Sequence, residues 1–458
     1  MTNKDSTILR QSLHGQWSSR IVFILAVSGS AVGLGNIWRF PYMAGINGGG
    51  AYVLIYLLCI FAIGLPIMIS EIMLGRRGRR NPMTSMELLG LEETGIKSWK
   101  YAGVIGLLAG FLILSYYSVI AGWTLNYFML TAQGLFDGIG PSGVDEVFNA
   151  LTLSIKTQVV FHTIFMALTI LIIAKGIKAG LERAVTIMMP ALFIIMVVLI
   201  IYAITQGNFL EGLRFMFRPD FSKLDGSSLL SAMGQAFFTL SLGMGCVFTY
   251  GAYLPKEESI FKSTIAIIFC DTLIALLAGM IIFPIVFSYG LEPAEGPGLI
   301  FKTLPLAFGQ ISGGALFGSL FFILLGFAAL TSAISLLEPS VVWMIEQKNV
   351  SRKVSAITIG IGIWALGLLT VLSFNELSDF TFWKGTVFDN FEHLASNILL
   401  PTSGLLFTVF ASWFMSKKSS SEELEGEHSW QYKFWRFLAR YIAPIAVFII
   451  FLNVIGIF

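Results

Sequence analysis

A chain of 458 residues that is 56% hydrophobic, 12% charged and has a mean hydropathy of +0.80 cannot hide its apolar side chains in one water-soluble core. Its net charge of +2 comes with no basic block long enough to hold nucleic acid. Its three cysteines, Cys59, Cys246 and Cys270, lie in apolar stretches without a CxxC or Cys/His cluster, so neither a disulfide framework nor a metal site of that kind is indicated.

What remains is an all-α polytopic membrane protein. The first 20 residues are polar, and the apolar run after them lacks a small-residue cleavage pattern, which argues against a cleaved signal. A hydrocarbon core of about 30 Å takes about 20 apolar residues per helix. On that ruler eleven spans follow in chain order, near 20–44, 50–75, 101–132, 157–175, 181–206, 228–254, 260–289, 313–346, 354–373, 387–415 and 432–457. An odd count puts the termini on opposite faces. With the N-terminus inside, the inner segments hold 21 of the 29 Lys and Arg and the outer loops 6, while Arg39 and Arg440 fall within spans. The positive-inside rule therefore places the N-terminus in the cytoplasm and the C-terminus outside. Two outer loops are long, 133–156 and 290–312; the second is apolar enough for a short helical hairpin, with a solvated loop as the alternative.

Span 1 is interrupted. "SGSAVGLGNIWRF" (28–40) sets three glycines, two serines, Asn36 and Arg39 at mid-depth, and "AFFTLSLGMGCVFTYGAY" (236–253) repeats the oddity in span 6. Backbone groups freed by unwinding are tolerated in a membrane only where protein or a ligand satisfies them. Free carbonyls suit a hard cation such as Na⁺, and half-helix N-termini suit a carboxylate. Glycines serving close helix packing are the plainer reading of either stretch alone. Two breaks five spans apart favour inverted repeats around a transport site, repeat one over about 20–206 and repeat two over about 228–415, with span 11 added.

"AVGLGNIWRFPYMAGINGGGAYVLIY" (31–56), "SYYSVIAGW" (115–123), "QAFFTLSLGMG" (235–245) and "ALTSAISLLEP" (329–339) resemble the neurotransmitter:sodium symporter family, along essentially the whole of residues 1–458 as one transporter domain. The resemblance implies the LeuT fold, a 5+5 inverted repeat with discontinuous helices 1 and 6, and an eleven-helix bacterial branch that includes hydrophobic amino-acid transporters in the inner membrane. It implies a first sodium site from the Ala31 carbonyl, Asn36, Thr239 and Asp271, completed by the substrate carboxylate. A second would use carbonyls of Gly29, Val32 and Ala328 with the hydroxyls of Thr331 and Ser332. Asp271 stands where some relatives carry Asn and need chloride or a nearby Glu; with Ala275 one turn on, Asp271 is expected to face Na⁺ itself and chloride to be dispensable. Uptake of a proton by Asp271, giving antiport, stays open.

The same resemblance implies a substrate site lined by Ser30, Ala31, Gly33, Gly35, Ile113, Tyr117, Phe238, Thr239, Ser241, Met244, Ser332 and Leu336. Tyr117 and N–H groups near Gly33 and Gly35 would meet a carboxylate, and the amine would find carbonyls of helices 1 and 6 and Ser241. Amine-transporting relatives carry Asp at the Gly33 position, so an α-amino acid is favoured here. The apolar wall of Ile113, Phe238, Met244 and Leu336 suits hydrophobic or aromatic side chains, Met adapting to irregular shapes. An outer gate would pair Arg39 with Glu392, or with Asp389 as second choice, beneath a lid of Tyr117 and Phe238. An inner gate would use Trp17, Tyr253 and Glu346, with His14 where relatives commonly place Arg. A histidine's reference pKa of about 6.5 weakens that pair at neutral pH, and Arg10 or Arg20 are substitutes. Gly180 and Pro190, in "GLERAVTIMMP", match the family's Gly-x₉-Pro spacing, which allows the start of helix 5 to unwind.

The expected activity is sodium-coupled import of hydrophobic or aromatic L-amino acids by alternating access, two Na⁺ per substrate. A sensor or leak channel on the same fold is the alternative. Of the four histidines, His14, His162, His393 and His428, none sits in a nucleophile or metal motif, so an enzyme is not expected.

Overall fold

The computed structural model describes residues 10–290 and 298–454. The expectations for residues 1–9, for 291–297 of the second outer loop and for the last residues of span 11 lie outside that range. Among the described residues the fold is helical throughout, with only isolated bridges between extended segments. Span 1 is α1 (Arg20–Ala31) and α2 (Gly35–Ile46), bent by 57° across the break. Span 2 is α3 (Gly50–Gly78), and α4 (Pro82–Thr94) lies beyond its end. Spans 3 to 5 are α5 (Lys97–Ala132), α7 (Ile155–Ala174) and α8 (Ile177–Gln206), with α6 (Pro141–Leu153) in the long loop before α7. After α9 (Phe209–Phe217), span 6 is α10 (Gly226–Thr239) and α11 (Cys246–Ala252). The remainder are α12 (Ile260–Phe287), α13 over 299–310, α14 (Gly314–Lys348), α15 (Arg352–Ser373), α16 (Val387–Phe414) and α17 (Trp430–Val454).

Nine of these helices are long and apolar enough to cross a membrane, and the α1–α2 pair is a tenth. The eleventh expected span is the α10–α11 pair, whose two pieces are each too short to cross alone. In the second outer loop residues 299–310 are helical, and the remainder of the expected hairpin, 291–297, lies outside the described residues.

Composition becomes packing in two groups. Spans 3, 4, 8 and 9 (α5, α7, α14, α15) pack on one another, and spans 1, 2, 6 and 7 form a second group against them. Close approach in the first group depends on glycine: a methyl at Gly367 would stand 2.7 Å from both His162 Nε2 and the Ser115 carbonyl. Apolar side chains left over face outward. On α8, Ile187, Ile194 and Ile201 recur every seven residues and are 59%, 65% and 57% exposed, a stripe suited to contact with lipid.

Helices 1 and 6 lie antiparallel, as inversion of the second repeat demands. Ser231 meets Met43, Gln235 meets Gly35, Ser241 meets Ser30 and the Tyr250 carbonyl meets Trp17, so one chain runs up as the other runs down. The breaks therefore face each other at mid-length. Local chemistry sets where they fall. α10 is capped by Asp225 in a reciprocal box with Ser228 and ends at Thr239; Gly243 and Gly245 then take φ of +75° and +74°. Ser241 takes φ +53°, unusual for a residue with a side chain, and its hydroxyl donates to the Ser30 carbonyl at 2.8 Å.

Candidate functional site

Between the breaks, Asp271 of α12 is fully buried. Asn36 Nδ2 donates to its Oδ1 at 2.8 Å and to Thr239 Oγ1 at 2.8 Å; the Thr239 hydroxyl reaches the same carboxylate at 3.2 Å, and the Tyr56 hydroxyl at 3.4 Å. Asn36 Oδ1 in turn accepts the Gly33 amide at 3.1 Å, which fixes the amide's orientation. Asp271 thus has the partners its depth requires, all of them neutral: among the described residues no basic side chain pairs with it. A carboxylate buried at membrane depth without a counter-charge is costly, so this oxygen cluster is chemically fitted to a cation. Three of the four residues assigned to a first sodium site meet here, and Ala31 lines the adjoining cavity.

The second cluster lies where α1 touches α14. Ser332 Oγ donates to the carbonyls of Val32 and Ser30 at 3.1 Å each and stands 3.5 Å from that of Gly29. Thr331 Oγ1 lies 3.0 Å from the Ala328 carbonyl. Gly29 makes the approach feasible, since a methyl there would stand 3.2 Å from Thr331 Cβ and from Met189 Sδ. All five residues assigned to a second sodium site converge, their hydroxyls turned onto neighbouring carbonyls.

Beside the clusters is a cavity of about 20 Å³. Its wall contains Ser30, Ala31, Gly33, Gly35, Ile113 and Tyr117, then Phe238, Thr239, Ser241, Met244, Ser332 and Leu336, which is every residue expected there, and Leu34 besides. That volume suits about one water molecule, so an amino acid enters only as the walls part. Tyr117 OH faces the Leu34 amide at 3.5 Å, a long contact with room to shorten onto a carboxylate. Tyr117 and Phe238 also floor a second, larger cavity of about 490 Å³ that holds Arg39, Asp389 and Glu392. They are the partition between the two.

At that outer end Arg39 makes no ion pair among the described residues; its guanidinium lies over the Phe238 ring, 5.2 Å from the centroid. Asp389 is engaged elsewhere, its Oδ2 accepting from the Thr386 amide and hydroxyl at 2.8 Å each as part of a helix cap. Glu392 lines the cavity and remains the acidic group available to Arg39.

The inner end is fastened. His14 Nε2 lies 2.9 Å from Glu346 Oε1, and Asn81 adds its amide N–H and its Nδ2, the latter at 2.6 Å. Arg10 and Arg20 are not substitutes: Arg10 pairs with Glu92 and Arg20 bonds Ser263. Trp17 is buried, donates Nε1–H to the Tyr250 carbonyl at 3.0 Å and its amide to the Tyr253 carbonyl at 3.1 Å. The Tyr253 hydroxyl donates to Glu338 at 2.8 Å, and Glu338 is paired with Arg352.

Gly180 falls in a widened turn, Ile177–Glu182, at the start of α8, where a methyl would collide with the Ile172 carbonyl at 2.1 Å. Pro190 lies inside the intact helix. This stretch is wound in the present structure, and Glu182 binds Ser18, tying it to the N-terminal segment.

Sequence reasoning missed several members of the site. Glu71, fully buried, accepts the Gly243 amide at 2.7 Å and so holds the turn of helix 6. Gln235 bonds the Gly35 carbonyl at 3.0 Å across the outer side of the breaks. Glu338, Arg352, Asn81 and Tyr56 belong with them. A carboxylate inside an apolar span is itself a signal, and Glu71 and Glu338 both carry it.

The chain is similar to known proteins along nearly its whole length. The profile of the Sodium:neurotransmitter symporter family matches residues 14–136 and 146–458. An uncharacterized sodium-dependent transporter, YhdH, of Bacillus subtilis (strain 168) is 40% identical over 96% of this chain and 98% of its own length. A sodium-dependent transporter of Methanocaldococcus jannaschii, MJ1319, is 32% identical over 94% of this chain and 88% of its own. Among solved structures, that of MhsT in complex with L-phenylalanine superposes with a TM-score of 0.88 at 43% identity, covering 96% of this chain and 99% of that one.

Proposed function

The chain belongs to the sodium:neurotransmitter symporter family, a sodium-dependent membrane transporter with the LeuT fold and not an enzyme, and from that premise we propose that it imports hydrophobic or aromatic L-amino acids with two Na⁺ and without chloride. The observation that carries this reading is the small cavity between the breaks. One side presents Tyr117 OH and the Leu34 amide for a carboxylate, the other the apolar Ile113, Phe238, Met244 and Leu336. Gly33 brings no acidic side chain, so a charged amine must arrive with its own carboxylate. MhsT, solved with L-phenylalanine, is consistent with such a substrate.

In the proposed cycle Na⁺ joins Asn36, Thr239 and Asp271 beside the substrate carboxylate, and a second Na⁺ joins the carbonyls and hydroxyls between α1 and α14. The carboxylate of Asp271 supplies the negative charge for which chloride would otherwise be needed. Arg39 and Glu392 then close over Tyr117 and Phe238, the inner fastenings open, and the start of α8 loosens about Gly180. We place the N-terminus in the cytoplasm of a bacterial cell membrane, on the charge asymmetry of the loops. One unit of two repeats, 20–206 and 228–415, carries the work.

Two charges crossing 100 mV contribute about 4.6 kcal/mol, and a tenfold sodium gradient about 2.8 kcal/mol more for two ions. Tight coupling then sustains roughly 10⁵-fold accumulation, and one sodium only the square root of that. The test is a screen of the twenty amino acids for binding and proteoliposome uptake, in sodium and in potassium, with chloride replaced by gluconate in parallel. Sodium-dependent uptake of Leu, Ile, Met, Phe, Tyr or Trp that survives gluconate is expected. Binding without exchange would make the protein a sensor instead, and uptake lost in gluconate would defeat the role given to Asp271.

A further inference from the structure

A third cavity, of about 610 Å³, lies away from the transport site, between α9, the loop after it and the last residue of α12. Its wall holds three cations, Arg214, Arg218 and Lys223, with Phe215 and Phe287 behind them. Among the described residues no carboxylate stands within ion-pair distance of any of the three. Two acidic groups share the wall but serve other donors. Glu211 accepts from Asn208; Asp220 accepts the Ser222 amide at 3.1 Å and its hydroxyl at 2.6 Å. The wall therefore carries one uncompensated positive charge, which is the complement of a single phosphodiester.

The place of the cavity chooses the kind of anion. Phe287 ends α12 and Gln206 ends α8, both membrane spans, so the cations sit at the level where a helix leaves hydrocarbon for headgroups. Beside them Leu210, Phe217 and Phe221 are 59%, 54% and 61% exposed, apolar surface that no other described residue covers. Cations above apolar side chains on a short surface helix match a lipid that carries both a negative headgroup and acyl chains.

We propose that this groove binds one anionic phospholipid, its phosphodiester held by Arg214, Arg218 and Lys223 and its chains lying on Phe217 and Leu210. The site bears on transport through three glycines. Gly48 and Gly49, between α2 and α3, and Gly50, which begins α3, press without side chains on the backbone of residues 215–220: a methyl at Gly49 would fall 2.2 Å from the Phe215 carbonyl and one at Gly48 2.6 Å from that of Asp220. A lipid that steadies 209–223 thereby steadies the outer end of helix 1, the half that must move as the outer cavity closes.

The full-length protein in phosphatidylcholine nanodiscs, with and without phosphatidylglycerol, is to be analysed by native mass spectrometry for retained lipid. The expected result is one phosphatidylglycerol kept in preference to phosphatidylcholine, its retention falling about fivefold for each of Arg214→Gln, Arg218→Gln and Lys223→Gln. The charge-keeping set Arg214→Lys, Arg218→Lys and Lys223→Arg is expected to hold the lipid, which separates lost charge from lost folding. Retention unchanged in the triple Gln protein, or displacement of the lipid by inorganic phosphate alone, would overturn the assignment, the latter by showing a site for free anions. The readout does not depend on transport, so failure of the amino-acid reading leaves it intact.

Discussion

The two ends of the transport path satisfy their charged groups in opposite ways. Outside, Arg39 lies over an aromatic ring and Glu392 lines a cavity of about 490 Å³ without pairing to it. Inside, His14, Asn81 and Glu346 form one hydrogen-bonded set, Tyr253, Glu338 and Arg352 a second, and the buried Trp17 plugs the space between. The outer charges face a cavity, whereas protein groups pair with the inner ones. On the proposed topology, the difference corresponds to a conformation closed inward and open outward as far as the partition of Tyr117 and Phe238. It also says where free energy must be supplied: opening the inner end breaks buried polar networks, whereas closing the outer end forms a pair from groups that face a cavity.

The sharpest attack on this contrast is Glu338→Gln. Glu338 is fully buried and Arg352 mostly so, and removing one member of such a pair costs about 3–5 kcal/mol because the other is left unpaired. The inner end is expected to loosen: a lower melting temperature, and faster modification of Cys246, which is buried at the inner side of the helix-6 break, in a protein lacking Cys59 and Cys270. Unchanged Cys246 reactivity would show that this pair does not hold the inner end shut. Next comes the boundary between the ends. In Gly33→Ala the added methyl would stand 2.7 Å from Ser332 Oγ and 3.0 Å from Tyr117 OH. Overpacking of that kind costs about 1–3 kcal/mol, so equilibrium binding of the best amino acid is expected to weaken by roughly tenfold to a hundredfold while the inner end stays closed.

His14→Arg tests the weaker inner fastening. A permanent cation in place of an imidazole strengthens the bond to Glu346 by about 1 kcal/mol, so uptake is expected to slow several-fold and Cys246 modification to fall. Arg39→Gln is its outer counterpart. Because Arg39 makes no ion pair among the described residues, the melting temperature is expected to change by the equivalent of about 0.5 kcal/mol or less, while substrate escapes faster from the loaded protein. A large loss of stability would mean that the outer pair is already formed in the resting protein.

The legible and illegible parts of the molecule divide along the same physical line. Backbone breaks announce themselves when Gly, Ser and Asn cluster at mid-membrane in two spans five apart; from them the facing helices 1 and 6 follow. With the family resemblance, the wall of the small cavity and the partners of Asp271 follow too. Glu71 and Glu338 obey the same cost argument as Asp271, yet that argument does not name their partners: Gly243, in the helix-6 break, lies 172 residues from Glu71, and Arg352 begins the next helix, 14 residues from Glu338. Periodicity carries no trace of such pairings. The short helices α4, α6 and α9 are equally hidden, since a ruler for bilayer spans does not register pieces of 9 to 13 residues. Whether Arg39 is paired is a property of one conformation, and a sequence encodes all of them.

The smallest expected effect contrasts the two halves of helix 6. α10 begins with the Asp225 cap, whereas α11 begins at Gly245 with no side-chain cap. Asp225 is held down to about 2, first by the Ser227 hydroxyl, then by the amide and hydroxyl of Ser228. Since this lies below the ordinary carboxylate value of 3.8, the cap contributes at every pH above that value and is lost as pH falls through about 2. Amide exchange over 226–229, corrected for its intrinsic pH dependence, should stay slow from neutral pH down to about 4 and quicken only below. Asp225→Ala should show the quickened exchange at every pH, with α11 unaffected in both experiments. If the two halves respond together, the break does not uncouple them, and the outer half of helix 6 cannot close over substrate independently of the inner.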